Sequence, residues 1–538
     1  MMARADGRLA LALFLTFAGV YLLLAPGHFY LLDANFKLTW AENAVHYGQL
    51  HFEKAQVGDP NRIGSYFKYG RDHQLYIHFP LGGLFCFIPA VLFADALMWL
   101  FPALAPYHPS YYVASFTNVP YAAATVVLLF ALARELGYSR PRATAAAVVL
   151  GVATPLLPYA KYDFNEPVAG FFALFALYLL ITAWGKVGRG RAVAAGLALG
   201  FAFTVRYELA AAFLAVVVLW LIMAWRRRGS LAGFLWFIVA FGVLAAVVPL
   251  YNWWARGSAG DFAYNTLPFF MNLIKVRFVP IARGGPHLFL LRFVWIYFLS
   301  PNLHNVILYC PLALLGGAGV VVLARTFGAR VLLLVVPGLA LAVTVIVLTY
   351  STWAWGLRYA YMFWVILAAA GLLVPRRRRW LKALFVVAVV WGVFLSAVAA
   401  LADFQMTEND LAAEILGDPD EVNYRGWLPE GRLNPRYSQI LWQAEYAGLA
   451  VARTVDYYVH GGVIRWFDLP PTCGNDVERA VVDIWPVAAQ VSGGVPARVI
   501  WPPYLLILLG TGAAAAWLRR LVRREDFNFY WRRGRKAL

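Results

Sequence analysis

Long apolar runs alternate with short polar or basic breaks over most of this chain. Runs at 9–26, 75–101, 111–132, 356–374 and 380–402 each hold enough residues for one helix to cross about 30 Å of hydrocarbon. A stretch at 191–225 is too long for one helix. Arg206, Tyr207 and Glu208 divide it, which predicts two helices around a tight turn.

The breaks alternate in character. Arg226 to Arg228, Arg376 to Arg379 and the tail 519–536 are basic, whereas the breaks holding Asp163 and Glu166, or Glu208, carry acids. Basic loops stay in the cytoplasm, so Arg4 and Arg8 put the N-terminus inside and Asp33 outside. Carried through, the rule predicts about twelve crossings with both termini cytoplasmic. One segment breaks the alternation. If 75–101 and 111–132 both crossed, the basic loop from Arg134 to Arg142 would lie outside. Pro80, Gly82, Gly83 and Pro89 interrupt the first of these runs, so 75–101 is expected to lie at the membrane surface or to re-enter without a net crossing. The alternative is a crossing with a local exception to the charge rule.

Two regions fall outside the alternation. Residues 27–73 read as a long polar loop, too rich in aromatic residues for disorder, within a first outer loop at 27–110. Residues 403–500 turn polar, with short mixed runs such as Val463 to Phe467 that resemble strands. The fold class is therefore mainly α, a polytopic transmembrane helical bundle with a small extracytoplasmic α+β domain. It divides into a module at 1–402, that domain at 403–500, and a last span with a basic tail at 501–538.

Composition agrees. Of 538 residues 62% are hydrophobic and 14% charged, with a mean hydropathy of +0.64, which excludes an ordinary soluble globule. The net charge of +18 sits in the short loops, so it reads as membrane topology and no nucleic-acid partner is expected. Cys86, Cys310 and Cys473 lie too far apart in sequence for a metal knuckle or a disulfide framework.

The candidate chemistry collects at the outer breaks. Asp33, Glu42, Lys68, Asp163, Glu166, Arg206, His287, Trp355 and Arg358 all fall there. Arginine forks suit phosphate oxygens and a carboxylate can accept a hydroxyl proton, so a lipid-phosphate head group fits this set. Taken singly, each reads as well as a charge pairing or snorkelling at a helix end.

The order of short motifs resembles the GT-C superfamily of membrane glycosyltransferases, which includes protein O-mannosyltransferases and aminoarabinose transferases. An acid follows the first span, with Ala41 and Gly48 spaced after Asp33. Tyr66 to Gly70 and His78 to Gly82 precede an apolar segment, and Ala133 to Gly137 closes a helix. Lys161 to Pro167 forms a second acidic patch, and Gly196 and Gly200 lead to Arg206 and Glu208. Ser300-Pro301 leads to Tyr309 and Pro311, and Trp353 to Tyr359 completes the series. The likeness implies a polyprenyl-phosphate-sugar donor, a glycan, lipid or protein acceptor, and transfer on the extracytoplasmic face of an inner membrane. By position Asp33 matches the family's catalytic acid, while Ala34 stands where some branches carry a second acid, a place Glu42 could fill. Asp163 and Glu166 match the second patch, where they would orient the acceptor or a divalent metal, magnesium or manganese. Lys68, Arg206 and Arg358 are the phosphate candidates; His287 and Trp355 complete the expected substrate contacts. A lipid-linked glycan flippase, or a glycan ligase or polymerase, remains the alternative reading.

Overall fold

The computed structural model describes residues 4–30, 32–58, 66–184, 187–225, 231–260, 306–348, 361–374, 379–401, 439–459, 484–487 and 497–535. Nearly all of these are helical. In chain order the helices are α1 (Arg4–Leu24), α2 (Leu32–Tyr47), α3 (Lys54–Val57), α4 (Gly82–Leu100), α5 (Pro109–Ser115), α6 (Asn118–Glu135), α7 (Arg140–Val152), α8 (Leu156–Lys161), α9 (Glu166–Thr182), α10 (Arg189–Val205), α11 (Ala210–Trp225) and α12 (Leu231–Arg256). They continue with α13 (Val306–Tyr309), α14 (Pro311–Ala318), α15 (Val320–Phe327), α16 (Leu332–Leu348), α17 (Tyr361–Leu372), α18 (Arg379–Leu401), α19 (Gln439–Val459) and α20 (Ala497–Arg535). The strands β1 (Phe67–Tyr69) and β2 (Leu75–Ile77) form an antiparallel hairpin with Lys68 opposite Tyr76.

Seven helices among the described residues are long and apolar enough to cross a membrane, and three shorter apolar ones accompany them. The turn within 191–225 falls where the charges predict it, at Arg206 and the 3-10 turn Tyr207–Leu209.

The bundle is built around α17, all of whose residues are buried. It packs on α9, α14 and α16. Contact with α14 is backbone to backbone, since a Cβ at Gly316 would lie 1.9 Å from the Leu367 carbonyl oxygen and one at Gly371 2.1 Å from that of Leu312. Small residues allow such approach where lipid supplies no hydrophobic drive between helices. At the periphery α20 lies along α1, so the two ends of the chain pack together.

The first loop departs from the sequence reading. Residues 32–47 form a helix rather than a loop, because Ala34, Leu38 and Ala41 recur at helical spacing and are buried, and Asp33 stands in the first turn, where the helix dipole favours an acid. Phe36, Phe52, Phe67, Tyr66 and Phe79 then join α2 to the hairpin in one run of ring contacts. In 403–500 the described residues include α19, packed on α18, and a short turn whose Trp485 N–H donates to the Ala25 carbonyl at 2.7 Å. Val463 to Phe467 lie outside the described residues.

Candidate active site at one end of the bundle

Asp163 lies in the coil before α9, and Glu166 is the first residue of that helix, with Pro167 behind it. Proline is tolerated in the first turn, where its missing N–H is not needed, and this fixes where α9 begins. The two acids therefore do not share a helix turn, although the spacing alone would allow it.

The chain holds this segment from several sides. The Asn118 side-chain amide donates to the carbonyls of Tyr162 and Phe164 at 2.5 and 2.6 Å. Lys161 Nζ donates to the Ala400 carbonyl at 2.9 Å and stands 5.7 Å from the centre of the Tyr30 ring, while the Tyr162 hydroxyl donates to Ala399. Arg206, just past α10, reaches Glu166 at 3.2 Å and Glu208 at 3.0 Å. Glu166 is wholly buried.

Lys37 is the least expected member. It is buried on α2, four residues after Asp33, so both lie on one helix face. Around Gly83 its Cδ and Cε stand 3.8 and 3.9 Å from where a Cβ would be, and Asn165 Nδ2 stands 2.8 Å from the same point. Gly83 thus lets α4 approach both α2 and the acidic segment. Gly82 beside it meets the Thr204 and Val205 backbone at 2.5 to 2.7 Å, which brings in the end of α10. Of the cations Lys37, Lys161 and Arg206, Arg206 pairs with Glu166 and Glu208, and such pairing offsets the cost of taking charge out of water.

Asp33 stands half-buried one helical turn, about 6 Å, from Lys37. Glu42 is nine residues further along α2, roughly half a turn away in direction. Its carboxylate accepts from the Ser110 hydroxyl at 2.8 Å, which ties it to α5 rather than to the Asp33 face. Lys68 is exposed in the middle of β1. Its hairpin is fastened to the end of α12, where Arg71 donates to the Gly257 carbonyl at 2.9 Å and Arg256 to that of Ile77 at 2.6 Å. In the hairpin turn the Tyr76 hydroxyl donates to Asp72 at 2.8 Å. Burial acts to raise the Asp72 carboxyl, but the bonds from Tyr76 and from the Gln74 N–H outweigh it and hold the carboxyl below its ordinary range. Desolvation and the bond to Asp72 push the Tyr76 phenol up.

The structure brings Arg206 to Glu166 in the segment that holds Asp163, sets Asp33 one helical turn from Lys37, and ties Glu42 to Ser110. His287, Trp355 and Arg358 lie outside the described residues. For a metal the fit is poor: Arg206 meets Glu166, and among the described residues no three His, Cys, Asp or Glu side chains converge. Lys37, Lys161 and Asn118 are additions to the sequence-derived set. Their signal was a polar side chain between apolar neighbours, which is costly unless satisfied.

Residues 89–267, which contain the acidic segment and Arg206, match the sequence model of the dolichyl-phosphate-mannose-protein mannosyltransferase family. That match covers about a third of the chain and makes this stretch similar to a family of glycosyltransferases. No curated protein matches it in sequence. Three solved GT-C structures superpose on it distantly. The archaeal oligosaccharyltransferase AglB from Archaeoglobus fulgidus, in complex with an inhibitory peptide and a dolichol-phosphate, is 14% identical over 79% of this chain and 59% of that one, with a TM-score of 0.43. ArnT from Cupriavidus metallidurans bound to undecaprenyl phosphate is 15% identical over 96% and 76%, at 0.44. The arabinosyltransferase EmbB from Mycobacterium smegmatis is 15% identical over 97% and 41%, at 0.38. The chain spans less than two thirds of the AglB and EmbB chains.

Proposed function

We propose that this GT-C module transfers a sugar from a polyprenyl-phosphate donor to a cell-envelope acceptor at the extracytoplasmic membrane face, with Asp33 as general base. The observation that supports the reading is the position of Asp33, a part-buried carboxylate in the first turn of α2, one helical turn from the buried Lys37. A base must reach its proton, and Asp33 is the acid of the set with both access and a fixed helix beneath it.

The step is a single displacement. The acceptor hydroxyl gives its proton to Asp33 as its oxygen attacks the anomeric carbon. The bond from that carbon to the phosphate oxygen breaks on the opposite side, and the configuration inverts. The leaving lipid phosphate gains negative charge, which the Lys68 ammonium, exposed on the hairpin, would meet. Arg206 is already held by two carboxylates and acts in the frame.

The test is transfer by the purified chain from an extracted polyprenyl-phosphate sugar to an envelope acceptor fraction. Asp33→Asn should lower turnover by about 10² to 10⁴ with the thermal midpoint nearly unchanged. Full activity in that variant removes Asp33 from the role, and transport of the lipid across liposomes without transfer product overturns the enzymatic reading.

A further inference from the structure

Helix α19 wears its polarity inside out. Its covered face holds Arg453 at 2% exposure and Asp456 at 6%, together with Tyr446, Ala447 and Ala450. The opposite face carries Val451, Val455, Tyr458 and Val459, spaced three and four residues apart and all exposed, Val459 at 70%. A helix that faces water keeps its valines inward and its charges outward. The reverse suits a helix whose surroundings are hydrocarbon, where an outward charge is costly and an outward valine is not.

Two contacts fix where α19 sits. Tyr446 and Ala447 pack on Val398 and Leu401 in the last turn of α18. The Tyr458 ring meets that of Trp501 near the start of α20, with centres 6.2 Å apart. Both places belong to the site end of the bundle. The carbonyls of Ala399 and Ala400 accept from Tyr162 and Lys161 beside the acidic segment. Trp501 stacks edge-on to Tyr504 at 5.6 Å, and the Tyr504 hydroxyl donates to the Leu23 carbonyl at the end of α1 at 3.2 Å. Since α18 and α20 each have the length and apolarity of a crossing, α19 touches two spans at the same end of each. From Ala447 to Tyr458 its axis advances about 17 Å, more than half of the roughly 30 Å of hydrocarbon. An upright helix would separate the two anchors by that depth, so α19 runs along the membrane plane. Tyr458, Trp501 and Tyr504 lie where aromatic residues collect at a membrane boundary.

We propose that α19 is a lipid-binding surface: it lies in the site-side leaflet with acyl chains against Val451, Val455 and Val459 and its charged face against the protein. The occupant is lipid because the stripe runs on, through Tyr458 and Trp501, to the exposed Leu505, Leu506 and Leu509 of α20, a span whose other side packs on α1. Acyl chains that cover α20 therefore reach α19 without meeting a charge. The sequence assigns α19 to a domain standing outside the membrane; in this arrangement it belongs to the membrane layer and straps α20 to α18, independently of which reaction the site performs.

The experiment uses the full chain carrying Cys473→Ser in phospholipid nanodiscs, since Cys86 and Cys310 are buried. Nitroxide labels are placed singly at Val451→Cys, Val455→Cys and Val459→Cys, with exposed Leu509→Cys on α20 as the hydrocarbon reference and exposed Arg142→Cys at the start of α7 as the aqueous one. Collisions with oxygen, which concentrates in hydrocarbon, are compared with collisions with a water-soluble nickel chelate. The oxygen-to-nickel ratio at the three α19 positions should approach that of Leu509→Cys and exceed that of Arg142→Cys by at least about threefold. The depths at 451 and 459 should agree within about 5 Å, although the two residues lie about 12 Å apart along the axis. A ratio equal to that of Arg142→Cys puts the stripe in water, and protection from both reagents puts a protein over it; either overturns the proposal. A depth difference near 12 Å overturns it as well, by standing α19 upright.

Discussion

Asp33 and Glu166 stand at the same end of the bundle and each opens a helix, yet their surroundings are opposite. Asp33 is half-exposed in the first turn of α2, and Glu166 is wholly buried with Arg206 against it. The difference separates reach from support. A carboxylate that takes a proton must meet the substrate, whereas one sealed beneath it can set only the charge and shape of the floor.

Substitution should show that separation most strongly at Asp33. The Asp33→Asn variant should lose about 10² to 10⁴ of turnover and nearly keep its midpoint, because the amide is isosteric with the carboxylate at a part-buried position. Glu166→Ala should do the reverse in kind. It removes one carboxylate from the Arg206 guanidinium, whose side chain is 11% exposed, while Glu208 stays at 3.0 Å. Breaking a buried pair costs about 3–5 kcal/mol, and the retained Glu208 brings this to the lower part of that range. Thermal unfolding in detergent reads it, with Glu166→Gln expected between the two. An unchanged midpoint in Glu166→Ala would make the acid dispensable to the frame and collapse the contrast.

A smaller effect is expected where helices meet the cluster. Gly82→Ala would place a Cβ 2.5 Å from the Val205 nitrogen, and backbone cannot swing aside as a side-chain tip can. The strain should cost about 1–3 kcal/mol and loosen α4 from α10. Gly48→Ala makes a useful control because nothing lies within 4 Å of its added carbon. Its φ of +65° still carries a penalty, so the comparison isolates contact from backbone strain.

The two acids also differ in how far they could be read from sequence. The spans and the break at Arg206 followed from apolar run length and from charge sign, which act locally. What the sequence withheld was pairing. Lys37 carries no motif and Lys161 only opens one, and their placement depends on Gly83 and Ala400, distant in sequence. Glu42 looked like a partner for Asp33 because it is near in sequence, whereas the two and a half helical turns between them point it the opposite way, to Ser110. The residues 27–73 looked like a loop because α2 keeps charge on more than one face, and its helix becomes evident only when α4 and the hairpin cover it.

The hairpin gives the smallest effect and tests the comparison from the exposed side. Asp72 is solvent-exposed, so the Tyr76 bond should contribute below about 1 kcal/mol, less than a buried bond and weakened by salt. Its pH signature has a definite sign. The folded-state pKa of Asp72 is depressed, so its contribution is present above the ordinary carboxylate range and fades as pH falls through the folded value. The folded-state pKa of Tyr76 is raised, so its contribution is present below the ordinary phenol value and is lost as pH climbs through the folded one. Tyr76→Phe should remove the alkaline limb and weaken the acid one, which the Gln74 N–H still supports, leaving amide exchange in 67–77 faster at neutral pH and less sensitive to acid. Because Lys68 sits opposite Tyr76, the same variant should raise KM for the lipid donor a few-fold with kcat nearly unchanged. A change confined to kcat would mean that the hairpin acts on Asp33 and not on the phosphate.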